Sequence, residues 1–184
     1  MTEISDHDLV VLARFDPEAF AGIVNRYSGK LKRYIHRLSR VSSEEGEDIV
    51  QEIFIKAYLN LNSYDDRLPF SSWMYRIAHN ECISQFRKRR ARGIDEQYDL
   101  DNDAVQRLIS DLSPERDIDN LLRKEFVAQI LDKLPDKYKS VLVLRYLEDK
   151  SYEEIADILE KNPKTVATLL NRAKKMCHSL ITHV

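Results

Sequence analysis

The stretch SYEEIADILEKNPKTVATLLNRAKKMCHSLI, Ser151 to Ile181, carries two helix starts in close succession. Ser151 with Glu154 forms a capping box, in which each side chain takes up a backbone N–H that the first turn leaves free. Asn162-Pro163 is an N-cap followed by proline at the first helical position, where a missing N–H costs nothing. Two helices joined by a short turn, the second of them basic, read as a helix-turn-helix whose second helix can enter a major groove. Val166, Leu170 and Ala173 form its expected inner face, leaving Lys164, Thr168, Asn171, Arg172 and Lys175 partly exposed. Helical hairpins also serve as plain scaffolding, so at this point the stretch fits either use.

Helical periodicity continues upstream. Ser5 opens a short helix with Asp8 at the capping-box position and Leu9, Leu12 and Ala13 on its apolar side. Asp16-Pro17 starts a long amphipathic helix whose packed face is Phe20, Ile23, Val24, Tyr27, Leu31, Tyr34, Ile35 and Leu38, with Lys30, Lys32, Arg33 and Arg37 outside. Ser42 with Glu45 caps the next, which buries Ile49, Val50, Ile53, Phe54, Ala57, Tyr58 and Leu61. Asp48, Gln51, Glu52 and Ile55 fall on another face of that helix. They are either its wet side or an acidic, amide-bearing strip suited to a basic helix of a partner.

Phe70 to Arg92, FSSWMYRIAHNECISQFRKRRAR, reads as a further long helix, capped by Ser71 or Ser72. Trp73, Arg76, Asn80 and Arg87 share one side, with Ser84 between them, while Met74, Ile77 and Ala78 point to a neighbouring one. Arg87, Lys88, Arg89, Arg90 and Arg92 concentrate positive charge that suits phosphate oxygens, and an aromatic beside cations suits unstacked bases. A solvated basic helix end with a packed tryptophan would look the same.

The composition narrows the class. Four Gly and five Pro in 184 residues favour helices over a turn-rich β protein. The formal charge is only −2, so net charge is silent about nucleic acid. Its distribution speaks instead: nine acidic and two basic residues lie between Gly93 and Asn120, but five basic and no acidic ones from Lys161 onward. Cys82 and Cys177 are far apart with no CxxC spacing, which argues against a disulfide framework or a zinc site. Cys177, His178 and His183 do not converge as metal ligands, because adjacent helical residues point about 100° apart. No apolar run is long enough to span a bilayer and the N-terminus lacks a signal-peptide pattern, so no stable membrane insertion and a cytoplasmic location are expected.

The expected fold is all-α, with two helical domains joined by an acidic linker and the helix-turn-helix in the second. The bounds are 1–92, 93–113 and 114–184, with at most a fragile helix near Ala104 to Leu112. After Ser113-Pro114, Ile118, Leu121, Leu122, Phe126, Ile130 and Leu134 mark one helix, and Tyr138, Val141, Leu142 and Tyr146 another.

Three motifs in order, DIVQEIFIKAY (Asp48 to Tyr58), FSSWMYRIAHN (Phe70 to Asn80), and LPDKYKSVLVLRYLEDKSYEEIADIL with TV and NRAKK (Leu134 to Lys175), resemble the extracytoplasmic-function (ECF) group of bacterial RNA polymerase sigma factors. The likeness covers the chain from about Asp16 onward, the linker apart. It implies that Asp48, Gln51, Glu52 and Phe54 hold the coiled-coil of the polymerase's largest subunit. It also implies that the loop Asn62 to Phe70, with Trp73, Arg76, Asn80, Arg87, Lys88 and Arg89, captures a flipped base and the opened strand of the minus-ten promoter element. Lys164, Thr165, Thr168, Asn171, Arg172 and Lys175 match the helix that reads the minus-thirty-five element. The implied partners are core RNA polymerase, promoter DNA and an anti-sigma factor, with no catalytic residue, metal or cofactor. The acidic linker is similar to segments that run through the polymerase cleft. The sequence departs from the family pattern at Ser84 (usually Asp), at Glu160 (usually Gly), and at Ala167 and Leu169 (usually basic).

Two other readings differ in class. A free-standing helix-turn-helix regulator would bind DNA without polymerase. A recombinase would need a nucleophilic Ser or Tyr amid clustered arginines, and the tight cluster at 87–92 holds none.

Overall fold

The computed structural model describes residues 4–39, 41–89, 100, 102–112 and 120–182. Among these the regular structure is helical, without strands. The helices are α1 (Asp6–Phe15), α2 (Phe20–Leu38), α3 (Ser43–Leu59), α4 (Phe70–Arg89), α5 (Asn102–Leu112), α6 (Asn120–Lys133), α7 (Asp136–Leu142), α8 (Tyr152–Leu159) and α9 (Pro163–Thr182). The chain divides into two compact units, one of Met1–Glu96 with Asp157–Leu159 and one of Gln97–Ala156 with Glu160–Val184, called N-terminal and C-terminal below.

In the N-terminal unit the caps fall where side-chain oxygens stand. Ser5 accepts from the Asp8 N–H to start α1, Asp16 from the Glu18 N–H before a short 3-10 turn into α2, and Ser42 and Glu45 close a full capping box on α3. The core is the expected face of α2 (Phe20, Ile23, Tyr27, Leu31, Tyr34, Ile35, Leu38) against Ile49, Val50, Ile53, Phe54 and Ala57 of α3 and Met74, Tyr75 and Ala78 of α4. Gly46 lets α3 approach closely, because a Cβ there would lie 2.7 Å from His36 Nε2. α1 is pinned through Asp6, whose carboxylate accepts from Tyr27 Oη and, at 2.7 Å, from Arg26 Nη1. Burial and the Asp6 carboxylate together push the Tyr27 hydroxyl pKa above its ordinary value.

Some expectations change. Neither serine caps α4: the helix opens one residue earlier, with the Trp73 N–H bonded to the Pro69 carbonyl at 3.2 Å, and Ser72 Oγ is buried without a partner. Leu12 is exposed and Val10 takes its place inside, and Tyr58, expected in the core, is 43% exposed although its ring meets Phe20 edge-on.

The C-terminal unit packs Val127, Ile130 and Leu131 of α6, Leu134 just beyond it and Val141 and Leu142 of α7 with Val166, Leu170, Ala173, Cys177 and Ile181 of α9. Those α9 positions contain the inner face read from the sequence. α7 runs into a π turn, Val143–Leu147, where the Glu148 N–H reaches the Val143 carbonyl at 3.0 Å. Two residues past the turn Asp149 has φ 53°, and Ser151 and Glu154 then form the expected capping box on α8.

Where the sequence reads as at most a fragile helix near Ala104 to Leu112 within the acidic linker, α5 is a packed element. Ala104, Val105, Leu108 and Ile109 are all buried, and α5 packs on α6, α9 and the π turn. Their i, i+1, i+4, i+5 spacing makes one narrow apolar stripe among polar residues in an otherwise acidic stretch. Residues 93–99, 101 and 113–119, which hold the rest of the acidic stretch together with Ile118, lie outside the described residues.

Glu160 ends α8 in the left-handed region, with φ 52°, a conformation in which a Cβ meets the carbonyl and costs about 1 kcal/mol. Glu160→Gly is therefore expected to stabilise the C-terminal unit by about 1 kcal/mol in chemical denaturation. Glu160→Ala, which keeps the Cβ, should give no such gain.

Candidate nucleic-acid and protein interfaces

Three surfaces emerge from these helices. On α3, Asp48, Gln51 and Glu52 are exposed and Ile55 is 52% exposed, so the strip read from the sequence faces outward as one row. Leu59, one turn beyond Ile55 and 73% exposed, extends the row with an apolar end that the sequence reading left out. Phe54 does not join it. Its ring is buried edge-on against Phe20, with centroids 6.3 Å apart, because its helical phase turns it from Asp48 and Glu52 into the α2 interface.

The second surface is α4 with the loop before it. Trp73 is half-buried, its ring 5.4 Å from Tyr64 and 5.5 Å from Phe70, and Phe70 meets Tyr27 edge-on. The tryptophan thus stands at the rim of an aromatic cluster rooted in the core, with one part packed and another available. Arg76 is half-buried, and Asn80 and Ser84 are exposed on the same helix. Arg87, Lys88 and Arg89 continue the backbone of α4, but their side chains lie outside the described residues, as do Arg90 and Arg92 entirely.

The loop folds on itself. Tyr64 Oη donates to the Leu68 carbonyl, Arg67 clasps Asp65 with Nη2 2.7 Å from Oδ2, and the Leu68 N–H bonds to the Asp65 carbonyl at 3.0 Å. The Arg67 hydrogen bonds hold the Asp65 carboxyl down to about 2. From α1, the Arg14 guanidinium reaches the same loop: Nη2 is 3.0 Å from the Tyr64 carbonyl, and the two Nη atoms lie 3.2 and 3.3 Å from the Asp66 carboxylate. The sequence reading did not single out Arg14, since no local pattern marks a partner fifty residues away.

The third surface is α9. Lys164, Thr168, Asn171, Arg172 and Lys175 are exposed and Thr165 half-exposed, on the side away from Val166, Leu170 and Ala173. Both threonine hydroxyls already donate locally, Thr165 to Asn162 Oδ1 at 2.9 Å and Thr168 to the Lys164 carbonyl at 2.9 Å. They remain acceptors, leaving Lys164, Asn171, Arg172 and Lys175 to supply donors. Ala167 and Leu169 are half-buried.

Lys174 is engaged inside the unit. Its Nζ lies 2.5 Å from Asp111 Oδ2 of α5, and Tyr146 Oη donates to the same oxygen. Burial alone would raise the Asp111 pKa and lower that of Lys174, but the hydrogen bonds outweigh it, leaving Asp111 below its usual range and Lys174 above. Among the described residues no His, Cys, Asp and Glu cluster has metal-binding geometry, and no helix is long and apolar enough to cross a membrane.

Residues 23–92 match the Sigma-70 region 2 family and residues 127–177 the Sigma-70, region 4 family. The chain is 36% identical over 169 residues to the ECF RNA polymerase sigma factor SigW of Bacillus subtilis (strain 168), covering 87% of each. It is 33% identical over 184 residues to the ECF RNA polymerase sigma-E factor of Escherichia coli (strain K12), covering 94% of this chain and 92% of the relative. The fold is similar to that of CnrH, solved in complex with the cytosolic domain of CnrY, with TM-score 0.70, 24% identity and 97% of each chain covered. It is also similar to that of RpoE of Bartonella quintana, solved with the anti-sigma factor NepR, with TM-score 0.64, 20% identity and coverage of 89% and 96%. The chain belongs to the ECF group of RNA polymerase sigma factors.

The Asp111 contact is testable by acid. A carboxylate whose folded pKa is depressed adds stability above its unfolded value, near 3.9, and loses it as pH falls through the folded one. Asp111→Asn should therefore be less stable than the parent at neutral pH, by under about 1 kcal/mol for so exposed a pair. The gap should close below about pH 4 in denaturant melts, as the parent carboxylate is protonated.

Proposed function

We propose that this chain joins core RNA polymerase and directs it to a class of promoters, and that the three surfaces divide the work. Family membership across both Sigma-70 regions carries this reading. A match to the helix-turn-helix alone would have left the free-standing regulator equally supported. The polymerase forms the phosphodiester bonds; this chain supplies promoter choice and holds opened DNA.

The row Asp48, Gln51, Glu52 and Ile55 is the face offered to the polymerase's coiled-coil, supported by its exposure and acidic character. Phe54 supports the strip from behind. Trp73, Arg76 and Asn80 with the Asn62–Phe70 loop take the opened minus-ten strand, followed along α4 by Arg87, Lys88 and Arg89. On α9, Lys164, Thr165, Thr168, Asn171, Arg172 and Lys175 meet the minus-thirty-five element. In domain terms, 1–92 and 114–184 carry these roles, and the acidic stretch 93–113 serves as connection with α5 folded onto the C-terminal unit. An anti-sigma factor is the regulator that the family resemblance implies, and the cytoplasm is where a polymerase partner places the chain.

Run-off transcription with purified core polymerase tests the whole reading: promoter-dependent transcripts are expected only when this chain is added. Replacing Asp48, Gln51 and Glu52 together by Ala should leave melting nearly unchanged, at under about 0.5 kcal/mol each, yet abolish co-purification with core. On the DNA side, Asn171→Ala should lose roughly 1–3 kcal/mol of discrimination at one base position and leave the salt dependence alone. Arg172→Ala, if its contact is to phosphate, should reduce the salt slope by about 0.9 for all sequences.

A further inference from the structure

We propose that Arg14 is a positioning residue for base capture: it fixes the Asn62–Phe70 loop from α1 so that the loop presents one conformation to an unstacked base. The proposal rests on the reading of that loop and Trp73 as the minus-ten site. It adds the N-terminal helix, outside the matched Sigma-70 regions, to the apparatus that reads DNA.

The geometry is a forked grip. Arg14 sits in the last turn of α1, which packs on α4 and on the Leu61–Ser63 turn. One nitrogen, Nη2, holds a backbone carbonyl, that of Tyr64, at 3.0 Å, and both Nη atoms hold the Asp66 carboxylate at 3.2 and 3.3 Å. The two acceptors are two residues apart, so the grip spans the bend of the loop. A lysine ammonium is a single point charge and lacks this planar reach. Arg14 is only 22% exposed in its side chain, and its Nε is buried without a hydrogen-bond partner. Burying an unpaired donor is unfavourable by itself, so the guanidinium is held there by what its outer nitrogens bind.

What the grip controls is the aromatic wall. The Tyr64 carbonyl held by Arg14 belongs to the residue whose ring lies 5.1 Å from Phe70 and 5.4 Å from Trp73. Fixing that carbonyl fixes the ring against which Trp73 leans, while Asn62, Ser63, Asp66 and Arg67 stay exposed around it. The opposite end of the loop is closed by Tyr64 Oη on the Leu68 carbonyl and by the Asp65–Arg67 clasp. Those contacts are internal to the loop, whereas Arg14 ties it to a helix of the core. A loop already ordered loses less conformational freedom when it closes on a base, and it keeps donors and acceptors in register with one base edge. Releasing Arg14 should therefore weaken discrimination between bases more than general attraction to single-stranded DNA.

The test uses the holoenzyme, this chain assembled with core polymerase, and a pool of single-stranded DNA randomised over a short window. The parent should enrich a preferred sequence with strong preference at one position. Arg14→Ala should flatten the preference at that position by about tenfold. Core affinity in pull-down should stay close to the parent's, and the melting temperature should fall only by what the lost loop contacts contribute. Arg14→Lys and Asp66→Asn, which each keep part of the grip, should fall between. A purely structural loss would lower the bound fraction for all sequences alike and leave the preference ratio intact; that result overturns the proposal. Should Arg14→Ala not fold, Arg14→Lys and Asp66→Asn decide it, and parental preference in both overturns it. If the parent holoenzyme shows no base preference on single strands, the reading of the loop as a base-capture site fails first.

Discussion

Side-chain oxygens at five positions start helical turns of this chain, and the apolar faces that follow them hold each of its two units together. Ser5, Asp16, Ser42, Ser151 and Asn162 each accept a backbone N–H that would otherwise be unpaired in the first turn. Within each helix the 3.6-residue period then sorts side chains by which face is apolar and packs. In α3 Asp48, Gln51, Glu52 and Ile55 look outward while Ile49, Ile53 and Ala57 look inward, and α9 separates Val166, Leu170 and Ala173 from Asn171, Arg172 and Lys175. The surfaces proposed for polymerase and DNA are the faces that packing leaves over.

Much of this was legible in the sequence because it is local. Caps, proline at the first helical position and apolar spacing are all written within a few residues of where they act, and the fold class followed from them. The failures are also physical. The sequence marks α5 only as a fragile helix near Ala104 to Leu112, because its apolar stripe is narrow and lies within an acidic stretch, so its packing onto α6 and α9 is not legible locally. Phe54, which likeness of motif places with the docking strip and periodicity places inside, packs against Phe20 behind that strip. Ser71 and Ser72 looked like caps, yet α4 starts from the Pro69 carbonyl and encloses Ser72. Arg14 and Asp111 act across fifty and more than sixty residues, a distance over which one sequence carries no signal.

Charge in this chain is arranged in blocks, and one tie between blocks is visible within the C-terminal unit. Asp111 comes from the acidic stretch and Lys174 from the basic one, and their contact, with Tyr146 on the same oxygen, anchors α5 to α9. The acidic stretch is therefore more than a spacer of favourable solubility. Part of it is a packed element that neutralises a cation beside the exposed row of α9, which leaves Lys164, Arg172 and Lys175 as that row's positive charges. The half-buried Ala167 and Leu169 add none, so the row proposed to meet the minus-thirty-five element offers few phosphate contacts.

The two cysteines have a use that owes nothing to promoter recognition. Cys82 is buried in the N-terminal unit and Cys177 in the C-terminal one, and burial pushes their thiols up to about 12 and about 11. Neither offers a thiolate to an alkylating reagent while its unit is folded. Each becomes reactive when its own core opens. The chain thus contains a built-in pair of clocks, one per unit. The order in which Cys82 and Cys177 become labelled in rising denaturant reads out, without any introduced probe, which half of the molecule lets go first.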